Sequence, residues 1–201
     1  MRQRITKQND ILDTEGQYEY INKMIRTNAN ANLLFSSFFI IISLIGVFAK
    51  LYFFIAEMNN PFKMPQYLLL IDSSENHHLI LFSEFISLIC HFLHLFSWSI
   101  KLISIQNLKK STLNEELKKS KIEPNHEKQN LCRLLLIISC ILSLPSFVFL
   151  FFLTDHFVGS FCIVGITFFI SIAGLYSLHQ IYSSEQDPTE LYGYTYKFEN
   201  I

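Results

Sequence analysis

Glu84, His91 and His94 stand in an otherwise apolar stretch, His77–Ile105, HHLILFSEFISLICHFLHLFSWSIKLISI. Carboxylates and imidazoles are the side chains that move protons, bind metals and ligate haem. Within a lipid-embedded helix they are costly, and they turn toward a helix bundle or a watery cavity. Their spacing puts them together. Glu84 and His91 are seven residues apart with Ser87 between them, and His94 follows His91 by three, so all four share one helical face. Lys50 is a further ionisable group inside a second apolar stretch, Asn32–Glu57. If the two stretches are antiparallel, Lys50 (seven residues before Glu57) and Glu84 (seven after His77) come to one depth, roughly 10 Å inside the same interface. An ion pair between them would relieve two burials at once. Lys50 snorkelling to the interface and an ion or proton site are the other readings of these residues.

No cofactor is expected. Bis-histidine haem needs a second histidine at matching depth on another helix, and the one available, His179, differs in depth from His94 by roughly 10 Å or more. Interhelical hydrogen bonding is the expected role of His91 and His94. Asp155 and His156, with His77 and His78 near the same membrane face, read as polar turn residues rather than a metal site. Cys90, Cys132, Cys140 and Cys162 all fall within or at the edge of apolar runs, with no CxxC, and read as small buried hydrophobes. HExxH, GxSxG, P-loop and GxGxxG motifs are absent from the sequence, so no enzymatic activity is expected. The basic residues are juxtamembrane, which gives no support to nucleic-acid binding.

The elements that must hold these residues are helices in a bilayer. Half of the 201 residues are hydrophobic, 20 are Phe, and only 16% are charged. Most of the charges sit in three polar blocks, leaving four apolar runs of at least the roughly 20 residues a spanning helix requires. An all-α, polytopic membrane protein is predicted: four transmembrane helices in an antiparallel bundle, spanning about 32–57, 77–105, 131–153 and 157–182. A polar segment, 1–31, precedes them; Thr14–Gln17 resembles a capping box, and Tyr18, Ile21 and Ile25 define a short interfacial helix. A charged loop, 106–130, is expected to hold another short helix stopped by Pro124, and a tail, 183–201, completes the chain. Pro145 should kink the third span. Trp98 and Lys101 are expected to anchor the second at its interface. Gly165, Ala173, Gly174 and Ser177 offer small surfaces where helices could approach closely.

Lys and Arg set the orientation. Arg2, Arg4, Lys7, Lys23 and Arg26 precede the first span, and six lysines crowd the loop between the second and third. The first–second connection holds only Lys63, and the third–fourth turn holds neither residue type. Both termini are therefore expected on the cytosolic side.

Four spans invite comparison with tetraspanins and claudins, but the residues differ. The third–fourth turn has no room for a disulfide-rich loop, and residues 58–76 hold neither Trp nor Cys. The leading expectation is a non-enzymatic accessory, assembly or scaffold subunit, in contact with the lipid bilayer and other membrane proteins. A small oligomeric channel or transporter using Glu84 and His91 comes second, and a membrane redox protein third. The membrane is expected to be the endoplasmic reticulum or plasma membrane, with an organellar inner membrane as the alternative.

Overall fold

The computed structural model describes residues 14–60, 77–113, 126–154 and 161–198. They form four long helices: α1 (Thr14–Asn59), α2 (His77–Leu113), α3 (His126–Thr154) and α4 (Ile166–Phe198), the last entered through a π-helical turn, Phe161–Gly165. α1, α2 and α3 are each long and apolar enough to cross a membrane, and the protein is an integral membrane protein on that ground. At 46 residues, α1 is about 69 Å long, more than twice the roughly 30 Å of a hydrocarbon core.

The helices are polar inside and apolar outside. On α1 the buried residues step by threes and fours through Asn32, Ser36, Phe39, Ser43, Val47 and Lys50, while Phe35, Phe38, Ile41, Ile45 and Phe48 are exposed. On α2, Ser83, Glu84, Ser87, His91, His94, Ser97 and Lys101 are buried, and Phe82, Phe85, Phe92 and Phe96 are exposed. Lipid reverses the usual pattern because it solvates Phe and Ile but offers a serine or lysine nothing to bond.

Side-chain pairs fix how neighbours run. Between α1 and α2, Glu57 meets His77, Lys50 meets Glu84, and Phe39 stacks on Trp98; numbers fall on one helix as they rise on the other, so the two are antiparallel. The same opposition holds between α2 and α3, through Cys90 with Ser139 and Ser97 with Cys132. It holds again between α3 and α4, through Ser139 with Ser171 and Tyr182 with Gln129. Asn28 and Asn32 bond Ser184, which brings α4 back to α1.

Several expectations need correction. No separate interfacial helix exists at Tyr18–Ile25: α1 runs unbroken from Thr14, and Ile21, Ile25 and Ala29 are buried against the rest of the chain. The same periodicity that suits a membrane surface suits a neighbouring helix, and Ser184 stands at that level of α1. The charged loop is shorter than 106–130, because α2 continues to Leu113 and α3 begins at His126. The expected short helix ending at Pro124 falls largely outside the described residues, as do the 61–76 connection and the Asp155–His156 turn. The tail is not separate either, since α4 continues through Pro188 to Phe198. Pro145, expected to kink the third span, lies inside α3, and Ser143 and Ser146 donate to the carbonyls of Ser139, Cys140 and Leu142 in the turns before and across it. Such hydroxyls help satisfy the backbone around a proline within lipid.

Trp98 is not an interfacial anchor. It is buried, with its indole 4.5 Å from the Phe39 ring at 6° between planes, in a cluster with Cys132, Leu136, Leu178 and Ile181. Trp98→Ala should therefore remove a shared packing element from four helices, at about 3–5 kcal/mol. Thermal unfolding in detergent checks this, with Phe96→Ala, on the exposed face, as the variant expected to change little.

Candidate functional site: a polar column inside the helices

The column begins where α1 ends and α2 starts. Glu57, fully buried, lies 2.9 Å from Nδ1 of His77 through Oε1. One heptad inward on both helices, Lys50 Nζ lies 3.0 Å from Glu84 Oε2, with both side chains buried. This is the pair that the antiparallel depth argument requires. Two turns farther along α2, His91 Nε2 lies 3.3 Å from Thr167 Oγ1 of α4, and that hydroxyl also shares a short hydrogen bond with Ser87.

The next layer joins three helices. His94 Nε2 is 2.8 Å from Ser139 Oγ on α3 and 2.8 Å from Ser171 Oγ on α4, while the two hydroxyls are 3.0 Å apart. Beyond it, Ser97 donates to the carbonyl of Cys132, and the Cys132 thiol donates back to the carbonyl of Ser97. Lys101 then donates to both carboxylate oxygens of Glu185, at 2.9 and 2.7 Å, and its ammonium sits 4.4 Å from the centre of the Tyr182 ring. Asn28 and Asn32, bonded to Ser184, stand at the level of Glu185 on the same end.

Depth follows from the rise of α2. His77 and Lys101 are 24 residues apart, which is about 36 Å and slightly more than a hydrocarbon core of about 30 Å. The Glu57–His77 and Lys101–Glu185 pairs thus bracket an apolar slab, one near each edge. Lys50–Glu84 lies inside it, seven residues from His77; His91 lies near its middle, and His94, seven residues from Lys101, mirrors Glu84 from the other edge.

Glycine makes one of these contacts possible. A Cβ built on Gly46 would overlap the His91 ring at Cε1, Nδ1 and Cγ, so α1 can pass the imidazole only where it carries no side chain. Glycine inside a helix costs about 1 kcal/mol relative to alanine, and here the close approach offsets that cost.

The structure brings together Lys50, Glu84, His91 and His94 as one stripe, joined across helices by hydroxyls. It divides the four small-residue positions. Gly174 is buried, with Leu136 and Trp98 at van der Waals distance from the place its Cβ would take, and Gly165 faces Phe147. Ala173 is exposed and Ser177 only half-buried, so this small-xxx-small pair does not form the helix contact. The inward stripe of α4 is Thr167, Ser171, Gly174, Leu178 and Ile181, and Ala173 lies about 100° from it, the turn per residue of a 3.6-residue helix. Lys101 is not an interfacial anchor exposed to lipid and water but a buried partner of Glu185. His179 is exposed and does not face His94. Among the described residues, no group of three or more His, Cys, Asp or Glu side chains is placed to hold a metal ion. Cys90 and Cys132 are buried thiols, and Cys140 is half-buried.

Sequence reasoning missed Glu57–His77, Lys101–Glu185, Gly46 and the hydroxyls of Ser139, Thr167 and Ser171. One signal was present: Ser36, Ser43, Lys50 and Glu57 recur every seven residues, as do His77, Glu84 and His91. A heptad of polar residues within an apolar run marks the inward seam of a helix in lipid just as a heptad of leucines does in water.

Comparison with protein-family models, curated proteins and solved structures finds no match for this chain.

Two predictions test the column. Lys50→Leu strands a buried carboxylate and should cost about 3–5 kcal/mol, whereas Lys50→Leu with Glu84→Leu should recover most of that loss. Melting temperatures of the three variants in one detergent measure the coupling; additive losses would count against the pair. Gly46→Ala should lower the melting temperature by displacing the His91 ring, and His91→Ala in the same chain should remove most of the added penalty.

Proposed function

We propose that this chain is a four-span membrane protein, with both ends on the cytosolic side, acting as a non-enzymatic accessory, assembly or scaffold subunit. The observation that carries the reading is that the ionisable groups of the interior are bonded within the chain, while the outward faces are apolar. Lys50, Glu57, Glu84 and Lys101 each have a partner on another helix. The outward Leu, Ile and Phe of α1, α2, α3 and α4 are left to meet lipid or the helices of other proteins. A fourth span is supported by the apolar start of α4, Ile166–Tyr182, and by its antiparallel course beside α3. A common side for the two ends is supported by the bonds of Asn28 and Asn32 to Ser184, and the cytosol as that side by the Lys and Arg distribution.

α1 and α4 both exceed the length a bilayer requires, which gives partners a region to meet beyond the lipid. The endoplasmic reticulum or plasma membrane suits this architecture, and an organellar inner membrane suits a complex subunit.

Purification of the full chain in mild detergent, followed by mass spectrometry, tests the reading. The expected result is a stoichiometric membrane-protein partner that survives size exclusion; an isolated chain with no partner would overturn it. Tags on the two ends should be digested from the same side of sealed membranes, and digestion from opposite sides would refute the four-span topology.

A second reading, a small channel or transporter using Glu84 and His91, draws on one specific observation: polar groups follow one another through the full thickness of the apolar slab.

A further inference from the structure

The middle of the column has a feature that ion pairing does not explain. His91 and His94 are both buried, yet only one nitrogen of each ring is engaged. Among the described residues, Nδ1 of His91 and Nδ1 of His94 have no hydrogen-bond partner. An unbonded polar atom away from water is expensive, and each one in a native protein calls for a reason. A histidine kept only for packing could give way to an apolar residue of similar shape. An imidazole bonded to a hydroxyl at one nitrogen and unbonded at the other has the two sites of a proton carrier, which accepts at one nitrogen while it releases from the other.

The surroundings fit that role. Lys50 approaches His91 from α1, Glu84 lies on the same face of α2, the buried Cys90 turns to Ser139 of α3, and Cys140 borders Ser171 from α3. α4 contributes the hydroxyls of Thr167 and Ser171. The two rings lie 5.8 Å apart between centroids and nearly perpendicular. No hydrogen bond joins the rings directly: both Nδ1 atoms are unbonded and both Nε2 atoms bond hydroxyls.

We propose that His91 and His94 carry protons along the interior between Glu84 and Glu185, a function that rests on the chain spanning a bilayer. An excess proton at the Lys50–Glu84 pair passes through water to Nδ1 of His91, where a new N–H bond forms. The Nε2–H bond breaks, and its proton goes to the hydroxyl oxygen of Thr167, which releases its own O–H proton to water. That water protonates Nδ1 of His94, and the Nε2 proton of His94 goes to the hydroxyl of Ser139. The hydroxyl's original proton continues through water past Ser97 to the Lys101–Glu185 pair. Each ring regains its starting tautomer by turning over. No electrons are exchanged with any reagent, and water, the one co-reactant, is restored at each step.

The test uses the full chain reconstituted in phosphatidylcholine vesicles with a trapped pH-sensitive dye and a potassium diffusion potential set by valinomycin. Flotation first establishes that the protein is in the vesicles. The expected result is proton entry at least tenfold faster than in protein-free vesicles, reduced at least tenfold by His91→Gln and by Thr167→Val. Phe92→Leu, on the exposed face, should conduct as the unaltered chain does. If His91→Gln does not incorporate, Thr167→Val decides, since it keeps the side-chain shape and removes only the hydroxyl. A chain that floats but conducts no faster than bare lipid, or conducts undiminished with Thr167→Val, overturns the relay alone. A chain that does not float overturns the spanning topology, and the relay with it.

Discussion

A charge inside hydrocarbon has no water to turn to, and the Lys50–Glu84 pair shows the consequence. Its ammonium and carboxylate, both buried, satisfy each other at 3.0 Å. Neither group could be placed there singly without a large desolvation loss. Their meeting fixes the relative height of α1 and α2, since a shift of one turn, about 5.4 Å, would separate them. Glu57–His77 and Phe39–Trp98 fall in the same register on either side. The rest of the packing is built on that register.

From this register comes a layered interior. Directional bonds, unlike apolar contacts, tolerate little sliding, so each polar layer aligns a different set of helices. Lys50–Glu84 ties α1 to α2; His94 with Ser139 and Ser171 ties α2 to α3 and α4; Lys101–Glu185 ties α2 to α4 at the other end. Phe39, Trp98, Leu136 and Leu178 pack between the last two layers. Lipid gives little reason for apolar helix faces to associate, because lipid tails are as apolar as leucine. Hydrogen bonds and close backbone approach, as at Gly46, then do more to choose partners than greasy side chains do.

The layers also differ in depth. Ion pairs near the two edges of the slab are tolerable as structure, because water reaches close to them. The two imidazoles are buried deeper than those edge pairs and have hydroxyl partners on α4, with Ser139 of α3 added for His94. Such groups are costly in hydrocarbon and turn to partners inside the helices, as these two do.

The sequence by itself determined the medium, the helical class, the membrane-crossing character of α1, α2 and α3, and the depth match of Lys50 with Glu84. All of these follow from local composition and from the fixed rise of a helix, which need no knowledge of neighbours. It did not determine where α1 and α4 stop: a helix leaving the membrane continues as long as another helix covers it, and Asn28, Asn32 and Ser184 do this for each other. Nor did it separate Gly174 from Ala173, because one residue of helical phase, about 100°, decides which is buried, and only packing sets the phase. Tertiary structure alone decided the partners of His94, Lys101 and Glu57, since a hydrogen bond across helices depends on rotation and tilt that no single helix encodes.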